Sequence, residues 1–148
     1  MNHSDSADAP SVSIVRIETA INVWRNTQTT VPGAAEVLVL DAETGKKIAS
    51  FPTGSGTDAA GFDETAKLIF LSNGEGNITV IREKSPDEYE SLQPVTTQQS
   101  AKTMALDKKT GTVYLPAATV IITPAADTSQ KPKRTITDGS FCVLVVGQ

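Results

Sequence analysis

Along most of the chain, apolar and polar positions alternate with a period of two, the spacing of β-strands that bury one face. Ser13–Ile17 and Ala20–Trp24 read as two strands, and Glu36–Asp41 as a third. Asp41–Lys46 is a turn signal, with Gly45 where a positive φ is tolerated. Lys47–Phe51 then alternates until Pro52 and Gly54 stop it, which predicts a hairpin with Glu36–Asp41. A second unit follows: Asp58–Asp63, Lys67–Ser72 and Asn77–Ile81 are strands, with Asn73-Gly74-Glu75-Gly76 a tight turn. Asn-Gly favours type I′ geometry, with positive φ at both central residues. Ser85-Pro86-Asp87 breaks the chain, and Tyr89–Val95 is a fourth, outer strand whose Pro94 suits an edge. No segment longer than ten residues has helical periodicity, and Asp87–Ser91 is too short for a stable helix.

The pattern then restarts. Met104-Ala105-Leu106-Asp107 matches Ala60-Gly61-Phe62-Asp63 at an offset of 44 residues. Thr112–Leu115 repeats Lys67–Leu71 with a one-residue slip, and Phe141–Val146 takes the part of Ile78–Ile81 and of Val37–Leu40. Four strands recurring every roughly 40–45 residues is the signature of β-propeller blades. The predicted fold is therefore all-β, about three four-stranded antiparallel blades, at 12–56, 57–99 and 100–148. The last unit carries an insertion at 119–138, read as a surface loop, and residues 1–11 are expected to be a disordered leader.

Composition narrows the function classes. The chain has 148 residues, 39% of them hydrophobic and 20% charged, a globular composition. A net charge of −4 argues against nucleic acid, whose binding needs a basic surface. Apolar runs such as Leu68–Leu71 and Val143–Val146 fall far short of the roughly 20 residues of a membrane helix, so no membrane partner is expected. Met1–Pro10 has neither a basic start nor an apolar stretch, so no export signal is expected, and the compartment stays open.

The candidate chemistry is sparse. His3, the single histidine, lies in the polar leader and cannot complete a metal set with a distant Cys142. Cys142, the single cysteine, sits in an apolar strand and is expected to be buried and inert. With no other histidine, neither a Cys–His pair nor a Ser–His–Asp triad can form. Asp41, Asp63 and Asp107 recur at strand ends, where a carboxylate accepts backbone N–H groups and starts a turn. Gly54-Ser55-Gly56 and Gly74-Glu75-Gly76 lack the following helix and Lys-Ser/Thr of a phosphate loop. Asn77-Ile78-Thr79 matches a glycosylation acceptor but falls within a predicted strand. Lys131-Pro132-Lys133-Arg134 is a small basic cluster in the inserted loop, read as solvated. Trp24 is the one possible ligand or interface contact, with blade-to-blade burial the commoner fate of such a ring, and Tyr114 is the other aromatic of interest. No catalytic, cofactor or metal residue is assigned.

Residues 37–147 resemble the C-terminal half of the YVTN-repeat β-propeller family, the YncE-like proteins. The likeness rests on Val39-Leu40-Asp41-Ala42-Glu43-Thr44-Gly45-Lys46, Ala59–Asp63, Phe70–Gly76, Met104–Asp107 with Thr110-Gly111, Val113–Pro116, and Gly139–Phe141 with Val143–Gly147. The resemblance implies blades arranged around an axis, with ligands taken at the loops of one face, and many relatives are exported. Relatives usually close about seven blades, whereas this chain has residues for about three. An open fan leaves two apolar faces exposed, so a homo-oligomer is expected, most simply two chains in a six-bladed ring. The expected role is a non-enzymatic binding scaffold for a protein or small ligand. The alternative is a lactonase- or dehydrogenase-like propeller enzyme with a channel metal or cofactor.

Overall fold

The computed structural model describes residues 15–17, 21–26, 35–41, 44–124 and 132–147. The expected leader, 1–11, lies outside them. All the regular structure described is β, in antiparallel sheets.

Sheet A is a meander of β1 (Val15–Ile17), β2 (Ile21–Asn26), β3 (Ala35–Asp41) and β4 (Lys47–Thr53). Sheet B repeats that order with β5 (Thr57–Asp63), β6 (Leu68–Asn73), β7 (Asn77–Ser85) and β8 (Glu88–Ser91). A short β9 (Val95–Thr96) also pairs with β7. The expected outer strand Tyr89–Val95 is thus split, because Pro94 has no N–H to keep the ladder going. Sheet C has three strands, β10 (Ala105–Asp107), β11 (Thr112–Ala117) and β14 (Cys142–Val146).

Between β11 and β14 the chain makes a separate two-stranded ribbon, β12 (Val120–Thr123) with β13 (Lys133–Ile136). The insertion read as a loop is therefore a hairpin, its tip at 125–131 outside the described residues. The β-branched run Val120-Ile121-Ile122-Thr123 supplies the strand propensity. Its base is closed by Thr137 N–H donating to Thr119 O (2.9 Å) and by Ser140 Oγ accepting from Thr119 N–H (3.0 Å).

The sheets are held face to face by two cores, one on each side of sheet B. Val37 and Val39 of β3 meet Phe62, Ile69, Leu71 and Ile81 of sheet B, with Ile48, Ala49 and Phe51 of β4 and Tyr89 of β8 around them. The opposite face of sheet B, with Leu68, Ile78 and Val80, meets Val113, Leu115 and Ala117 of sheet C. The register explains the division. Ile69 pairs with Ile81 on one face, and Phe70 with Val80 on the other. This accounts for the unbroken apolar run Leu68–Leu71, since a strand covered on both faces has no polar side. Gly61 lies on the second face, where an added Cβ would come within 2.9 Å of the Met104 side chain; its bareness admits sheet C.

Candidate functional site

The three aspartates singled out in the sequence all begin turns. Asp41 Oδ1 accepts from Thr44 N–H (2.7 Å), Asp63 Oδ1 from Thr65 and Ala66 N–H (2.9 and 3.0 Å), and Asp107 Oδ1 from Lys109 N–H (2.9 Å). Asp107 Oδ2 also accepts from the Thr110 hydroxyl (3.0 Å). The hydrogen bond from Lys109 N–H, with that from Thr110, holds the Asp107 carboxyl below its ordinary pKa. The fourth residue after each aspartate has a positive φ: Gly45 at 70°, Lys67 at 57° and Gly111 at 67°. Lys67 holds this strained position without glycine, its ammonium 5.8 Å from the Phe62 ring centre and 3.7 Å from Glu83 Oε2.

At the other end of sheet B the glycine-rich segments build a polar cluster. Gly74 N–H donates to Gly56 O (3.0 Å) and Glu75 N–H to Ser55 O (3.2 Å), tying the two turns together. The buried Asn73 is the hub. Its Oδ1 accepts from the Thr57 hydroxyl (2.6 Å), and its Nδ2 donates to Asn77 Oδ1 (2.6 Å) and Thr79 Oγ1 (2.9 Å). An Asn73-Gly74 type I′ turn is not what forms. Asn73 keeps a negative φ, and Gly76 takes the positive value, 110°. The inward-facing amide of Asn73, satisfied by threonines from another turn, outweighs the local Asn-Gly preference. Asn77, of the glycosylation-like triplet, donates to Glu75 Oε1 at 2.6 Å. Glu75 Oε2 accepts from Ser55 N–H (2.7 Å), and these bonds, the Ser55 one first, lower the Glu75 pKa.

Beside this cluster, the ribbon face bearing Val120, Ile122 and Arg134 roofs a cleft of 470 Å³ over Ser55–Asp58, Gly74 and Glu75. Lys133 and Arg134 of the basic cluster are exposed on β13. Cys142 is half-buried rather than buried, because its strand forms the edge of sheet C; its thiol faces Gln98 Oε1 at 3.8 Å. Trp24 pairs with Leu38 in the β2–β3 register. Its side chain, like His3, lies outside the described residues.

The most distinctive surface joins Tyr114, singled out in the sequence, to apolar side chains of β14 whose exposure was not read there. In register, Tyr114 pairs with Val145 and Pro116 with Val143, on the face of sheet C turned away from sheet B. Val143 is 51% exposed, Val145 64%, and Phe141, just before the strand, 69%. On sheet A, Leu38 and Leu40 lie on the face away from the core and are half-buried. The signal for this face was present in the period-two run Phe141–Val146, whose second apolar set needs a partner. Among the described residues no three His, Cys, Asp or Glu side chains gather as a metal-binding group. Comparison with models of protein families, with curated proteins and with solved structures gives no match in any of the three.

Proposed function

We propose that the three sheets are successive blades of a β-propeller, and that the chain is a non-enzymatic binding scaffold that completes its ring by self-association. The observation that carries this is the outer face of sheet C. Both faces of sheet B are covered by a neighbouring sheet, whereas Tyr114, Val143 and Val145 on sheet C, with Phe141 beside them, are open to water. The chain path supports a blade reading. After the last strands of sheets A and B it passes to the first strand of the next sheet, β4 to β5 and β8–β9 to β10. The resemblance to YVTN-repeat blades agrees with it.

Burying a Val or Phe side chain contributes about 1.5–3 kcal/mol, so three together offset a large part of the association cost. The outer face of sheet C on one chain meets the outer face of sheet A on the next, a head-to-tail contact that closes when the rotation allows. Two chains give six blades. Sedimentation velocity at micromolar concentration is expected to show a dimer, and the double substitution Val143→Lys with Val145→Lys is expected to give a folded monomer. A wild-type monomer under those conditions would overturn the proposal.

A further inference from the structure

A cleft of 400 Å³ opens between sheets B and C. Its walls are apolar, with Leu68, Phe70, Val80, Leu92 and Val95 on one side and Val146 on the other. At one end stands a carboxylate that its turn does not use up. Asp63 lines the cleft and is only 4% exposed. Its Oδ1 accepts both backbone bonds of the turn, from Thr65 and Ala66 N–H. A carboxylate accepts at two oxygens, so Oδ2 remains for a further donor. Oδ2 stands beside Gly111, another lining residue, where a Cβ would come within 3.0 Å of it. The bare glycine keeps the space in front of Oδ2 clear. A buried acceptor with an oxygen to spare, at the end of an apolar slot, selects a ligand that brings one donor.

The charges decide against an ion. Lys108 lines the cleft but is bound to Glu64 at 2.9 Å. Lys109 and Asp63 then set one charge of each sign on the lining, so a neutral ligand enters without unbalancing it. An anion would meet Asp63, and a cation Lys109. The size points to more than one ring. A dry cavity of about 150 Å³ holds benzene, so this cleft of 400 Å³ takes two fused rings. Facing sheets bound a flat slab, and the Phe70 ring on one wall suits a flat partner. The molecule already packs one phenol between sheets, the Tyr89 ring against the first core. We propose that the cleft binds a neutral fused-ring aromatic alcohol, its rings against the apolar walls and its hydroxyl donating to Asp63 Oδ2. The site lies within a single chain and does not require self-association.

The test titrates 2-naphthol into the full chain, isotope-labelled. Saturable amide shifts are expected at Thr65, Ala66 and Gly111 at the polar end, and at Leu92 and Val95 on the wall. Naphthalene, which lacks the donor, and 2-naphthoate, which brings a negative charge, are each expected to bind at least tenfold more weakly. Asp63→Asn keeps an oxygen for the turn and puts an NH₂ group in place of the second acceptor. It is expected to weaken 2-naphthol at least tenfold and naphthalene less than twofold. Val95→Glu, at a half-buried wall position, is expected to weaken both. Equal binding of naphthalene and 2-naphthol by the wild-type chain overturns the proposal, whether or not the Asp63 variant folds. So does an unchanged 2-naphthol affinity in Asp63→Asn, and so do shifts that do not saturate or that fall outside the cleft. Sedimentation of the same sample reports self-association separately, so the two proposals fail independently.

Discussion

At the scale of single residues, turn chemistry does most of the organising. The aspartate-initiated turns were legible in the sequence because everything they need is local: a carboxylate, N–H groups two or three positions on, and a residue that tolerates the left-handed region. Gly45 and Gly111 separate the backbone effect from crowding. An alanine at either meets the left-handed penalty of about 1–2 kcal/mol. At Gly111 the new methyl also lies 3.0 Å from Asp63 Oδ2, while at Gly45 it meets open space. Both variants are expected to unfold at lower urea concentration than wild type, Gly111→Ala at the lower of the two, with unchanged slope. Asn73 was not legible. Its partners Thr53 and Thr57 stand 20 and 16 residues away, and no local pattern shows that their hydroxyls converge on one buried amide.

Glu75 makes that cluster sensitive to acid. Its ionised form accepts from Ser55 N–H and Asn77 Nδ2, which lowers its pKa from the ordinary 4.5. The stabilisation is therefore complete above pH 4.5 and is lost as pH falls through the lower folded-state value. Asp107, lowered in the same way, adds to the same trend. Thermal melts from pH 7 to pH 3 are expected to show Glu75→Gln melting below wild type at neutral pH. The gap is expected to narrow below pH 4.5, and a residual acid slope to persist from Asp107.

At the scale of elements, sheet B is the keystone because its strands are apolar on both sides. Leu115 of sheet C, fully buried against it, tests that contact. Leu115→Ala is expected to cost about 3 kcal/mol, within the 2–5 kcal/mol of large-to-small core changes, measured as a shift in the denaturation midpoint. Strand positions were largely readable from the period of two and the turn residues. The ribbon β12–β13 was not, because Pro124, Pro132 and the basic residues drew the whole insertion toward a loop reading. Its strands form by pairing across the insertion, Val120 with Ile136 and Ile121 with Thr135, a non-local bond that neither segment announces alone. Surface ion pairs such as Lys84 with Glu90 at 2.8 Å add little, typically 0–1 kcal/mol for exposed partners.

At the scale of the whole molecule, the period of two foretold an all-β chain, and the described residues form four antiparallel sheets, the ribbon β12–β13 among them. What the repeat did not convey is that, among the described residues, sheet C has three strands where sheet A has four and sheet B five. Strand count depends on what pairs with β14, and sequence periodicity carries no record of that.

The double cover of sheet B also sets a timetable for water entering the protein. A stack of sheets in which each contacts only its neighbours loses order from its ends, as linear arrays do. Ile69, Ile78 and Ile81 sit at 0–1% exposure in the middle of the stack, so the amides of β6 and β7 should open only when the chain opens as a whole. Those of β14 need only sheet C to peel away. In deuterium exchange of the monomer expected from Val143→Lys with Val145→Lys, β14 is expected to label first and β6 last. In the wild-type chain the two rates are expected to converge, because the ring covers the outer face of sheet C.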